Sequence, residues 1–159
     1  MFEKIKLLFK NNREFRPGVF IVVYKIENNK PRYLILKRKL HWIGWEFTKG
    51  GQEKGESLMQ TIKRELKEET NLKPLKIQGY NKSGRYIYDK QTNHDRKFIG
   101  QSYILYSAKV KDGKVKIDKL EHSGYRWVDF KTAMKMLTWP NQRGCLRMVD
   151  NGVEKSKII

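Results

Sequence analysis

A mixed α/β fold is what the sequence predicts, and three observations carry that expectation. Runs of β-branched and aromatic residues recur between Val19 and Val128, one long amphipathic segment interrupts them after Ser57, and two further helical segments close the chain. At 159 residues the chain has the size of one ordinary domain, so residues 1–159 are expected to form a single unit with its own core.

The elements follow in order. Phe2, Ile5, Leu8 and Phe9 stand at near-helical spacing among lysines, which reads as a short helix packed on the domain. Pro17-Gly18 punctuates the chain, and Val19 to Ile26 reads as a buried strand. Asn28-Asn29-Lys30-Pro31 turns it into a second strand, Tyr33 to Lys37. A loop from Lys39 to Gly55 carries two tryptophans and four glycines. A helix is expected from Ser57 to Thr70, ended by a left-handed Asn71. Strands follow near Leu75–Tyr80, Arg85–Tyr88 and Gln101–Val110, then an Asp112-Gly113 turn and a short edge strand over Lys114–Ile117. Tyr125–Val128 reads as the last strand, Asp129 caps a helix running to Leu137, and Asn141 caps a final one.

Composition excludes several classes. The 12% aromatic content is too high for a disordered chain. No apolar run approaches the roughly 20 residues that span a bilayer, and Met1–Lys10 lacks the apolar stretch of a secretory signal. Cys145 is the only cysteine, so no intrachain disulfide is possible and a cytoplasmic location is expected. Lys and Arg number 35 against 17 Asp and Glu, a net charge of +18. Such a field attracts polyanions, nucleotides and RNA among them. The lysines are scattered, however, so a surface solvated on every face explains the charge as well.

The chemistry concentrates on the long helix. With ~100° per residue, Glu69 falls about 40° to one side of Glu65 and Glu68 about 60° to the other, so the three carboxylates share one sector. Leu58, Met59, Ile62 and Leu66 overlap that sector, which places Glu69 inside the core-facing stripe. A carboxylate there needs a compensating charge. Either Arg64 or a facing lysine supplies it, or a hard divalent ion does. Three acids pressed together favour Mg²⁺ or Mn²⁺, which complete their shells with water and phosphate oxygens.

The stretch from Gly50 to Leu72 resembles the Nudix box, G-x5-E-x7-R-E-U-x-E-E-x-G-U, with U a bulky aliphatic residue. Gly50, Glu56, Arg64, Glu65, Leu66, Glu68, Glu69 and Leu72 match, and Asn71 replaces a glycine. The resemblance implies an α/β/α sandwich with a mixed central sheet and a catalytic loop-helix-loop. It also implies hydrolysis of a phosphoanhydride bond in a nucleotide substrate, with Glu65, Glu68 and Glu69 holding the metal. Arg64 would orient Glu65, Glu56 would brace the loop, and the Lys49 carbonyl would supply a further metal oxygen. Asparagine tolerates the left-handed conformation, so the helix end is expected to survive the substitution.

Outside the box, the likeness divides between diadenosine tetraphosphate hydrolases and RNA 5′-pyrophosphohydrolases. Trp45 to Gly51 and Leu120 to Trp127 resemble both, and the second segment makes Glu121 a further ligand or general base. Phe130 to Leu146 leans toward the first group, while Phe15-Arg16-Pro17 and Ile99-Gly100-Gln101 lean toward the second. Cleavage of a dinucleoside tetraphosphate is the leading expectation and removal of pyrophosphate from 5′-triphosphorylated RNA the alternative. A catalytically idle RNA-binding module is the reading from another class. Lys37 and Arg38, with Lys49, are candidates for gripping phosphates, and Tyr86, Tyr88 and Tyr103 for stacking a base. His41, His94 and His122 show no metal-ligand spacing. No membrane partner is expected.

Overall fold

In the structure, a computed structural model that describes residues 15–88 and 98–156, the sheet is organised around β2 (Gly18–Glu27). Its first eight residues are buried on both faces, as their near-continuous apolar character demands. Val19, Ile21 and Val23 point to one face, and Phe20, Val22 and Tyr24 to the other.

On one side β2 pairs in parallel with β7 (Gly100–Val110), which in turn pairs with β1 (Phe15–Arg16) and antiparallel with β6 (Pro74–Ile87). On the other side β2 and β3 (Lys30–Arg38) pair through Tyr24–Glu27 and then part. The gap between them holds β4 (Gly44–Glu46) against β3 and β5 (Thr48–Gly51) against β2. β8 (His122–Val128) covers the far edge of β3.

Helix α1 (Leu58–Thr70) covers the first face through Ile62 and Leu66, packed with Val19, Ile21, Leu34 and Leu36. Helices α2 (Phe130–Met136) and α3 (Pro140–Ser156) cover the second, where Ala133, Leu137, Leu146, Val149 and Val153 meet Phe20, Tyr33, Ile35 and Leu105. The outcome is an α/β/α sandwich with a mixed sheet. Among the described residues no helix is long and apolar enough to cross a membrane.

Several expectations need correction. The loop 39–55 contains β4 and β5, because its short apolar runs fill the space where β2 and β3 diverge. The two strands expected over 75–88 are one, β6, with register shifts between Pro74 and Lys76 and between Gly79 and Ser83. Residues 114–117 form no strand: the Lys116 N–H donates to the carbonyl of Thr70 at the end of α1, not to a strand. α3 begins at Pro140, and the Trp139 carbonyl accepts from Gln142 and Arg143, so Asn141 lies within the first turn. Met59, at the margin of the apolar stripe, is exposed. The expected N-terminal helix and the turn at His94 lie outside the described residues.

Candidate active site

Both ends of α1 are fixed by local chemistry. Ser57 Oγ accepts the Gln60 N–H at 3.1 Å while Gln60 Oε1 accepts the Ser57 N–H at 2.8 Å, a reciprocal cap. At the other end Asn71 sits at φ 59°, ψ 18°, and its N–H donates to the Lys67 carbonyl at 3.1 Å. The glycine of the resembling motif is thus replaced without loss of the left-handed turn. Glu65 and Glu69 are buried on the same face as Ile62 and Leu66, while the Glu68 side chain remains 54% exposed.

Arg64 gathers the rim of the site. Its Nε and Nη2 donate to the two oxygens of Glu56 at 2.6 and 3.0 Å, and Nη1 donates to Glu65 at 2.7 Å and Glu68 at 3.2 Å. Nη2 also donates to the Gly51 carbonyl at 2.8 Å, tying α1 to β5. The Arg64 hydrogen bonds hold the Glu56 carboxyl down at about 2. Burial pushes Glu65 up to about 7 despite the same guanidinium. Burial, then the charges of Glu46, Glu65 and Glu121, raises Glu69 well above the usual carboxylate range, with Lys49 opposing.

β5 approaches these acids closely. A Cβ on Gly50 would overlap the Glu65 carboxylate, so any larger residue there would push that acid aside. The Lys49 N–H lies 3.3 Å from Glu69 Oε2, and an extended residue presents its N–H and C=O to the same edge. The Lys49 backbone therefore faces the acids.

From across the sheet, the turn before β8 brings Glu121. Its carbonyl accepts the N–H groups of Lys39 and Leu40, and its Oε2 accepts Arg38 Nη1 at 2.9 Å. Ligand-capable atoms of Glu69, Glu121 and His122 lie within 4.8 Å of one another. Beneath them is Glu46, fully enclosed, with Arg38 Nη1 at 3.3 Å, His122 Nε2 at 2.9 Å and Lys49 Nζ at 3.3 Å. Burial works against this carboxylate, yet Lys49, His122 and Arg38 together hold it ionised. Burial likewise opposes the charge of Lys49, and Glu46, Tyr86 and Glu69 together outweigh it, keeping the ammonium above the usual lysine range.

These groups line a cleft of about 660 Å³. Tyr86 and Tyr88 border it on the β6 side, 6.0 Å apart edge-to-face. Trp42 and Trp139 border it as well, in edge-to-face contact at 5.3 Å.

Of the expected residues, Glu56 sits behind Arg64, and Glu65, Glu68, Glu69, Glu121, Lys49, Arg38, Tyr86 and Tyr88 reach the cleft. The Arg38 guanidinium is already engaged by Glu46, Glu121 and the Leu40 carbonyl. Strand alternation turns Lys37 away, its ammonium lying 5.9 Å from the Trp45 ring centre. Tyr103 is packed flat on Phe20 at 3.8 Å and is 4% exposed, so it is a core residue. Arg16, Trp42, Gln101 and Trp139 were not anticipated as lining residues, and neither were Glu46 and His122 as members of the floor. Histidine spacing alone gave no signal for His122, because its partners are distant in sequence.

The NUDIX domain family matches residues 14–149. The chain belongs to this family. It is 31% identical over 127 residues to an RNA pyrophosphohydrolase of Marinomonas sp., covering 73% of this chain and 76% of that one. It is 25% identical over 130 residues to the asymmetrical bis(5′-nucleosyl)-tetraphosphatase of Mus musculus, covering 79% and 83%. A NUDIX hydrolase crystal structure from Listeria monocytogenes superposes with a TM-score of 0.75 at 21% identity, covering 87% of this chain and 94% of that one.

The donor set suits a hard divalent cation: carboxylate oxygens, with a backbone edge at Lys49, crowded where burial disfavours their charge.

Proposed function

We propose that the chain is a divalent-metal-dependent hydrolase of phosphoanhydride bonds in nucleotides, acting by asymmetric cleavage of a dinucleoside tetraphosphate. One observation carries this reading: a single cleft is lined both by crowded, largely buried carboxylates and by two aromatic pairs, Tyr86/Tyr88 and Trp42/Trp139. Each pair offers a face for a base, and the polyphosphate would lie against the acids of the same cleft. Acids facing a polyanion repel it unless a cation intervenes. An idle binding module gains nothing from them.

Glu65, Glu68, Glu69 and the Lys49 carbonyl would hold Mg²⁺ or Mn²⁺, with Glu121 adding an oxygen or accepting the proton of the attacking water. A bound divalent ion there neutralises phosphate charge and makes a water more acidic. Arg64 fixes Glu65 and Glu68 and secures the loop through Glu56 and Gly51. Tyr86, further held by the Lys49 ammonium 5.4 Å from its ring centre, positions a base.

The test is parallel incubation with Mg²⁺ and either diadenosine tetraphosphate or 5′-triphosphorylated RNA. ATP plus AMP from the first is the expected result. The second substrate has its own support in the Marinomonas relative and in the +18 charge. Pyrophosphate release from RNA alone would replace the dinucleotide reading, and tight, salt-sensitive RNA binding without cleavage of either would remove the enzyme reading.

A further inference from the structure

Trp42 lines the cleft from a segment, residues 39–43, that the hydrophobic core holds only weakly. Lys39, Leu40, His41 and Ile43 are all exposed, Ile43 at 78%. At one end the Lys39 and Leu40 N–H groups donate to the Glu121 carbonyl at 2.9 and 3.3 Å. At the other end β4 begins with Gly44. Apolar burial therefore does little to fix the Trp42 ring, and its contacts with Gly44 and Trp139 must do so.

A Cβ on Gly44 would overlap both the Trp42 ring and Thr138 Oγ1. Gly44 does not have a positive φ, so space alone, and not backbone conformation, excludes a side chain there. Thr138 comes from the linker between α2 and α3 and is tied to β4 twice. Its Oγ1 accepts the Trp45 N–H at 2.9 Å, and its own N–H donates to the Trp45 carbonyl at 3.1 Å. The linker is held in turn by α3: Arg143 Nη1 donates to the Leu137 carbonyl at 2.6 Å, and the Trp139 carbonyl accepts the Gln142 and Arg143 N–H groups. Trp139 follows Thr138 directly, so the same linker carries the second tryptophan and the hydroxyl that anchors β4 beside the first.

We infer that Gly44 and Thr138 are positioning residues: they seat the Trp42 ring against Trp139 and so fix the platform that receives one base of the substrate. Neither touches the substrate. A platform fixed in advance spares the binding step the cost of ordering residues 39–43. The inference rests on the reading of the Trp42/Trp139 pair as a face for a base, and it assigns a task to two residues outside the motif that carries the acids.

The test is steady-state kinetics of the full chain on diadenosine tetraphosphate with Mg²⁺, with thermal melting alongside. Trp42→Ala removes the platform and is expected to raise KM by about fivefold or more. Gly44→Ala places a methyl group where the ring lies, and KM should rise by about threefold or more while kcat changes by less than about twofold. Thr138→Val keeps the shape but offers the Trp45 N–H no acceptor, and KM should again rise by about threefold. Thr138→Ser restores the hydroxyl and should hold KM within about twofold of wild type. In a Trp42→Ala background Gly44→Ala should add nothing to KM, because the ring it displaces is gone. A purely structural role would not vanish with Trp42.

Unchanged KM in either Gly44→Ala or Thr138→Val, or a Gly44→Ala effect that persists in full without Trp42, overturns the inference. Where Gly44→Ala does not fold, the two Thr138 variants decide: KM raised in Thr138→Val and kept in Thr138→Ser supports the inference, and equal KM in both overturns it. A wild-type chain that leaves diadenosine tetraphosphate intact overturns the dinucleotide reading and this one with it. Cleavage with a KM indifferent to Trp42→Ala overturns the platform and its seat together. A raised KM in Trp42→Ala with unresponsive Gly44 and Thr138 variants overturns this inference alone.

Discussion

Two groups of ion pairs hold the candidate site together, and they are built in opposite ways. Around Arg64, five contacts join Glu56, Glu65, Glu68 and the Gly51 carbonyl, all within 13 residues of Arg64 in the partly solvated rim. Around Glu46, the partners come from β3, β5 and β8, and the Glu46 and His122 side chains are fully enclosed. The first group shapes the helix and loop that present the acids. The second sets the charge beneath them. Glu69 is the residue on which they converge, since it belongs to α1 by sequence but feels Glu46, Glu121 and Lys49 by position.

The largest expected effect therefore falls on Glu69. Glu69→Gln keeps the shape and removes the charge, and turnover should fall roughly 100-fold or more. The metal-free variant should melt at or above wild type, because burial disfavours the carboxylate it replaces. Steady-state kinetics and a melting curve on the same preparation check both halves. If activity is lost together with stability, Glu69 is a structural acid and the distinction between rim and floor collapses.

How much of this was legible in the sequence follows the same division. The three acids of α1 could be read because they sit on one helix, where spacing fixes geometry, while the roles of Arg64 and Glu56 came from the resemblance to the Nudix box. The wheel placed Glu69 in the apolar stripe, and it is 4% exposed among Ile62 and Leu66. The sandwich was legible only through the resemblance of Gly50–Leu72 to the Nudix box, whereas β2 reads as a buried strand from its unbroken apolar run. The floor was not legible. Glu46 and His122 are 76 residues apart, and only the pairing of β3 with both β4 and β8 brings them to 2.9 Å. Nor could a sequence say that Lys37 faces away while Arg38 faces in. That depends on register, and a shift of one residue inverts it. Tyr103 illustrates the same limit, since a strand tyrosine at a cleft and one stacked beneath it have the same pattern.

A smaller effect is expected when the rim is perturbed without removing charge. Arg64→Lys retains a cation but loses the planar fork that reaches Glu56, Glu65, Glu68 and Gly51 together. Turnover should fall about tenfold, less than in Glu69→Gln, with KM little changed because no substrate contact is assigned to Arg64. A loss as large as that of Glu69→Gln would mean that the rim, and not the floor, governs the reacting acids.

The smallest effect concerns the end of α1. Asn71 adopts the left-handed conformation in which the resembling motif has glycine, and its N–H closes the last turn on Lys67. Asn71→Gly relieves the backbone in the folded state but frees the unfolded chain, so stability should change by no more than about 0.5 kcal/mol and turnover should not change. Asn71→Val cannot adopt that geometry cheaply and should lose about 1–2 kcal/mol in urea unfolding of the metal-free protein. The asymmetry between the two is the informative quantity. The turn also sets Leu72 into the core and leaves the Thr70 carbonyl free to receive Lys116, so a strained end would loosen α1 from β5 and move rim and floor apart together. If Asn71→Val costs stability without touching turnover, the acids are held by their ion pairs alone. If turnover falls in step with stability, the helix end belongs to the machinery that positions them.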